Sequence, residues 1–211
     1  MKMTTLKCSV KCGRPAKGEE QQSRDRLLDA ALQLFLEQGY GNLSMETIAK
    51  EARVSLRTIY NQFGGKAGIF GALVKRCSDQ FADSLADQGS LEDTLNSFGK
   101  KFLFRVSRPD VVRMRAILIG EAMRFPDLAT EFYQQGPGRT RASLIELFRQ
   151  YQQTGEIKNV PAEFLADQYI SALRNERFQR LQLGLEPTPD EAEIDAWVLQ
   201  ATRLFLQGCL N

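Results

Sequence analysis

The chain contains no histidine. That absence removes the Ser-His-Asp and Cys-His nucleophile systems, the usual zinc sites and the His-bearing di-iron bundles, and it moves the balance away from an enzyme. Long apolar runs are missing as well. The run Ala116–Ile119 is bounded by Arg115 and by Gly120-Glu121, far short of the roughly 18 consecutive apolar residues of a membrane span. The N-terminal stretch has lysines but lacks the apolar segment of a secretory signal, so a cytoplasmic protein is expected. Cysteine is sparse: Cys8, Cys12, Cys77 and Cys209 form no CxxC pair. A cytosolic chain gives no reason to expect a disulfide, and Cys8 with Cys12 alone makes a poor zinc site. No metal and no cofactor are expected, while a redox role for Cys8 and Cys12 stays open. Period-two alternation and internal repeats are also wanting, which excludes a strand-rich or solenoid architecture.

What is present is an ordinary globular mix of 211 residues, 43% hydrophobic and 26% charged, enough to bury a core without staples. The formal net charge of +2 hides an asymmetry. Residues 1–76 carry 13 Lys/Arg against 7 Asp/Glu, whereas residues 77–211 carry 15 against 19. The first third suits a polyanion and the remainder does not. Helical periodicity, with proline at helix starts and glycine past helix ends, predicts an all-α fold of about nine or ten helices. Three segments follow: a flexible basic arm over 1–18, a helix-turn-helix domain over 19–76, and a helical ligand-binding and dimerisation bundle over 77–211.

Residues 44–63 carry the functional signal. Ala49 is small where two helices would cross, Val54 plugs the turn, and Ile59 packs the second helix on the first. That arrangement projects Leu56, Arg57, Thr58, Asn61 and Gln62 toward a major groove. Arg57 suits a guanine edge, and Asn61 or Gln62 an adenine. Ser55 caps the second helix, and Ser44, Thr47, Tyr60 and Lys66 stand at helix ends, where hydroxyls, an ammonium and backbone N–H groups hold phosphates. Arg14 and Lys17, on the arm beside Pro15, could enter an adjacent minor groove. A soluble tail is the equal alternative.

The run Leu27-Leu28-Asp29-Ala30-Ala31, Leu34-Phe35, Gly39-Tyr40, Ser44-Met45, Ile48-Ala49, Ala52, Val54-Ser55, Ile59-Tyr60, Phe63, Lys66 and Ile69-Phe70 resembles the DNA-binding domain of the tetracycline-repressor (TetR) family. Met114–Pro137 is similar to the C-terminal domain of its AefR-like branch. The resemblance implies a homodimer on a palindromic double-stranded operator, with base contacts at 55–58 and 61 and phosphate contacts at Thr47, Tyr60 and Lys66. Arg53 stands where the family usually has glycine; it is expected to tolerate a positive φ and to add a phosphate contact.

In the C-terminal half, Phe102, Met114, Leu118, Phe132, Phe178 and Trp197 are candidate walls of an effector pocket, with Glu121 and Arg174 able to orient a small hydrophobic or aromatic ligand. Core packing is the simpler reading of each, and Glu121 with Arg124 reads most simply as an i,i+3 pair. Helices near 162–183 and 190–207, with Ala166, Ala172 and Ala201, are expected to form the dimer interface. The expected function is a repressor released by an inducer. The alternatives are the same fold answering to a protein partner or acting architecturally, and a helical enzyme resting on carboxylates such as Glu121.

Overall fold

A computed structural model describes residues 17–85 and 89–210, with side chains from Glu20 onward. Arg14, Cys8 and Cys12 lie outside the described residues, as does the side chain of Lys17, whose backbone opens the first helix. Eleven α-helices are present among the described residues: α1 (Lys17–Asn42), α2 (Met45–Ala52), α3 (Leu56–Phe63), α4 (Lys66–Ala82), α5 (Leu91–Val106), α6 (Pro109–Glu121), α7 (Pro126–Gln135), α8 (Pro137–Gln153), α9 (Ala162–Leu173), α10 (Glu176–Gln182) and α11 (Glu191–Cys209). A short 3-10 turn, Asp83–Leu85, follows α4. The fold is all-α, as the periodicity predicts.

Leu27, Leu28, Ala31, Leu34 and Phe35 recur on one face of α1 and are buried there. Gly39 then adopts φ 77° and ψ 172°, which breaks the helical path and turns Tyr40 inward. Phe35 stacks on Tyr40 with ring centroids 5.7 Å apart, and Phe70 of α4 meets both rings edge-on. Rings in this arrangement add about 0.5–1.5 kcal/mol per pair beyond the area they bury. Met114 and Leu118 of α6 and Leu128 of α7 complete this first core. The DNA-binding unit is therefore packed against the second half, and α4 runs unbroken through Arg76 and Cys77.

The second core gathers Phe98, Leu103, Phe148, Tyr169, Leu173, Trp197 and Val198 from α5, α8, α9 and α11. Tyr169 is fully buried; its hydroxyl donates to the Leu95 carbonyl at 2.7 Å and lies 3.2 Å from Thr202 Oγ1. Ala166 also faces this core and is fully buried, so it cannot provide the close approach to a second subunit expected of it; Ala172 and Ala201 are only half-buried.

Two helix breaks organise the second half. Gly136, at φ −125° and ψ −94°, separates α7 from α8, which Pro137 opens as the sequence pattern requires. The periodicity read 162–183 as one helix, but Arg174 leaves helical geometry at φ −103° and ψ 50°. Asn175 then caps α10 by accepting from the Phe178 N–H. No helix among the described residues is long and apolar enough to cross a membrane.

Candidate DNA interface and effector cavity

The helix-turn-helix is built from two caps and a strained turn. Ser44 Oγ accepts from the Thr47 N–H at 3.1 Å to start α2, and Ser55 Oγ accepts from the Thr58 N–H at 3.1 Å to start α3. In each cap the two hydroxyls also meet, at 3.0 and 2.8 Å, and each keeps capacity for one more partner. Between the helices Arg53 sits in the left-handed region at φ 55° and ψ 44°, its N–H bonded to the Ala49 and Lys50 carbonyls. Ile48, Ala49 and Ile59 are buried where α2 meets α3. The other face of α3 presents Arg57, Tyr60, Asn61 and Gln62, all exposed; Leu56 and Thr58 are half-buried.

Close approach fixes the far end of this helix. A Cβ on Gly68 would stand 1.8 Å from the Phe63 carbonyl oxygen, so only glycine lets α4 start against the end of α3. Arg24 of α1 lies over the Phe63 ring, 4.5 Å from its centroid, and holds the same end from the other side.

Lys66 has a duty that the sequence pattern does not reveal. Its Nζ donates to the carbonyls of Tyr40 at 2.6 Å and Leu43 at 2.8 Å, and it lies 4.5 Å from the centroid of the Tyr40 ring. Burial lowers its pKa, with Glu121 pulling the other way. Two of its three N–H donors thus clamp the α1–α2 loop, leaving one for a phosphate. No local motif encodes a lysine aimed at carbonyls 23 and 26 residues upstream.

A cavity of about 150 Å³ opens between α4, α5, α6 and the α9–α10 corner. Phe102, Met114, Phe132, Arg174 and Phe178 line it, as the sequence suggested. Leu118, Glu121 and Trp197 do not. Leu118 lies one helical turn past Met114 and packs into the first core. Glu121, at the end of α6, accepts from the Gly41 N–H at 3.3 Å and pairs with Arg124 at 3.1 Å. Trp197 is packed in the second core, with Arg177 5.5 Å from its ring centroid. The sequence reading missed Phe70, Leu73 and Cys77, which α4 lends to the cavity wall, and also Arg105, Arg115 and Gln182. Burial pushes the Cys77 thiol up, against the opposing charge of Arg105 beside it.

Caps, turn and recognition face define a helix-turn-helix DNA-binding protein whose helical second half holds a small cavity. Comparison with known proteins agrees. Residues 27–73 match the profile of bacterial regulatory proteins of the tetR family, and residues 93–208 match that of the AefR-like transcriptional repressor C-terminal domain. YvkB of Bacillus subtilis strain 168, an uncharacterized HTH-type transcriptional regulator, is 27% identical over 187 residues, which is 87% of this chain and 95% of that protein. The flavonoid-responsive regulator FrrA shares 29% identity with a TM-score of 0.72, over 90% of this chain and 98% of its own. A TetR-family regulator from Mesorhizobium loti MAFF303099 has the same fold, with a TM-score of 0.76 at 22% identity over 90% and 98% of the two chains.

The chain belongs to the tetR family of bacterial regulatory proteins, with an AefR-like C-terminal domain. It is a DNA-binding transcriptional regulator and not an enzyme. Regulators of this family bind DNA operators and act as dimers.

Proposed function

We propose that the protein is a cytoplasmic homodimeric repressor that grips a palindromic operator through α3 and is released when a small apolar molecule enters the cavity. The observation that carries this reading is the continuity of α4. Its first residue, Lys66, ties down the α1–α2 loop, its third, Gly68, abuts the end of α3, and its later turns supply Phe70, Leu73, Cys77 and Phe81 to the cavity. A ligand that displaces the cavity wall therefore acts on the element that seats the recognition helix. It shifts the equilibrium by its difference in affinity for the two positions of α4 and by nothing else.

Arg57, Asn61 and Gln62 read base edges, while Tyr60, Ser44, Thr47, Arg53 and the free donor of Lys66 bind phosphates. Dimerisation runs through the outer faces of α9 and α11, where Phe164, Leu199 and Leu204 are exposed. A two-fold axis there sets the paired recognition helices for half-sites one helical turn, about 34–36 Å, apart. The flavonoid response of FrrA supports a small-molecule signal, and the cavity supports it over a protein partner.

Fluorescence anisotropy with DNA upstream of the gene, across a salt series, tests the reading. Nanomolar, sequence-selective binding by two subunits per site, with a steep salt slope, is expected. Weak binding indifferent to sequence would overturn it.

A further inference from the structure

The cavity wall is mostly apolar, and its polar groups divide into donors without an acid and groups already paired. Arg115 of α6 and Arg174 at the end of α9 both line it; Arg174 lies 5.4 Å from the Phe178 ring centroid, and among the described residues neither guanidinium pairs with an acid. Arg105 meets the Cys77 thiol on the same lining, while its buried Nε and the buried Gln182 Nε2 have no hydrogen-bond partner among the described residues. The other charged groups on the wall are already matched. Asp110 is held by Arg108 at 3.1 Å, and Arg76 by Asp29 at 2.8 Å. The Ser78 and Thr140 hydroxyls donate to backbone carbonyls.

Both guanidiniums are half-buried, so each loses part of its hydration without an opposite charge to offset the loss. Burial, and then the like charge of Arg174, pull the Arg115 guanidinium down to about 10. Burial lowers Arg174 as well. An anion offsets this loss, and a carboxylate does so with geometry matched to the guanidinium fork. A cavity of about 150 Å³ has the size that admits a single aromatic ring. The walls suit one too: Phe102, Phe132 and Phe178 face the void.

We infer that the cavity is a site for a compact, one-ring aromatic carboxylate, its ring among the phenylalanines and its carboxylate received by Arg115 and Arg174, with Arg105 and Gln182 supplying the remaining donors. The inference rests on reading the cavity as the effector site and adds the charge and size of the effector.

Calorimetric titration of the full-length protein with sodium benzoate, phenylacetate, benzyl alcohol and inorganic phosphate tests it. At least one of the two carboxylates binds ten or more times tighter than benzyl alcohol, and phosphate does not displace it. Arg115→Met and Arg174→Met each weaken the carboxylate at least tenfold and leave benzyl alcohol within twofold. Arg115→Lys, which keeps the charge without the fork, falls between. In the ligand-free state Arg115→Met unfolds at the parent temperature or above, because it removes a half-buried charge that no acid offsets. Equal binding of the alcohol and the acids, displacement by phosphate, undiminished binding to the methionine variants, or no binding of either acid would overturn the assignment. A parallel operator titration separates the two readings. A carboxylate bound without loss of DNA affinity keeps the anion site and discards release by it; release by benzyl alcohol alone does the reverse.

Discussion

The Gly41 N–H at the end of α1 donates to Glu121 Oε1 at the end of α6, 3.3 Å away and 80 residues on in the chain. This bond joins the loop that leads into the helix-turn-helix to the helix that carries Met114 and Arg115 on the cavity wall. The same carboxylate bonds Arg124 and favours the charge of Lys66, so three elements meet at one side chain. The bond is only part-buried, and its net worth is about 1 kcal/mol. Glu121→Ala is expected to lower stability by about that much in urea unfolding. It also loosens the seam between halves, so the loss of operator affinity on effector binding becomes smaller than in the parent. An unchanged unfolding midpoint together with an unchanged effector response would count against this linkage.

Arg53 holds a left-handed backbone at φ 55°, the sole non-glycine among the described residues with positive φ. That conformation costs a residue with a Cβ roughly 1–2 kcal/mol, part of which glycine would return as extra freedom in the unfolded chain. Arg53→Gly is therefore expected to raise stability by up to about 1 kcal/mol. If the side chain contacts a phosphate, the variant also binds operator more weakly at low salt, and the slope of log affinity against log salt falls by about one. Raised stability with unaltered DNA affinity would show that the arginine is strained without serving the operator.

Sequence legibility tracks how local the physics is. The caps at Ser44 and Ser55, the break at Gly39 and the proline that opens α8 are decided within a few residues, and the periodicity shows them. Long-range placements do not show. Leu118 and Met114 share one face of α6 and both pack into the DNA-domain core, yet only Met114 also reaches the cavity. Ala166 has the same local pattern whether it faces a partner or its own core. The α9–α10 break hinges on Asn175 acting as a cap, a signal that the surrounding apolar spacing outweighed. The clamp of Lys66 and the convergence of Arg115 and Arg174 on one cavity become visible only once distant elements are packed together.

The recognition face offers a sharper test of specificity. Arg57 is exposed on α3 and makes no ion pair or hydrogen bond with another described residue. Its guanidinium is free for a base edge. Arg57→Ala is expected to cost about 1–3 kcal/mol of operator binding and to relax selectivity at one base position in each half-site. Tyr60→Phe removes a hydroxyl assigned to a phosphate, so it should weaken all sequences alike. Binding measured against a set of singly substituted operators distinguishes the two patterns. A uniform loss for Arg57→Ala would reassign that side chain to the backbone.

Tyr169 supplies a test of the second core with a defined pH signature. Its hydroxyl, buried between Leu95 and Thr202, has its pKa raised above the ordinary value of 10.0, chiefly by burial and only partly offset by the Thr202 hydrogen bond. At neutral pH the tyrosine is protonated in both folded and unfolded chains, and Tyr169→Phe removes the second bond to the Leu95 carbonyl, which lies within α5 and keeps its helical donor. The loss is about 0.5–1.5 kcal/mol. Above pH 10 the unfolded tyrosine ionises while the folded one keeps its proton, so the folded state binds more protons and the tyrosine's contribution declines as pH rises. The decline approaches about 1.4 kcal/mol per pH unit. Phenylalanine has no such proton. The stability gap between parent and Tyr169→Phe is therefore constant from pH 7 to 9 and closes above pH 10, as measured by urea unfolding at each pH. A gap that stays constant or widens above pH 10 would mean that the hydroxyl is not sealed from water by the core around it.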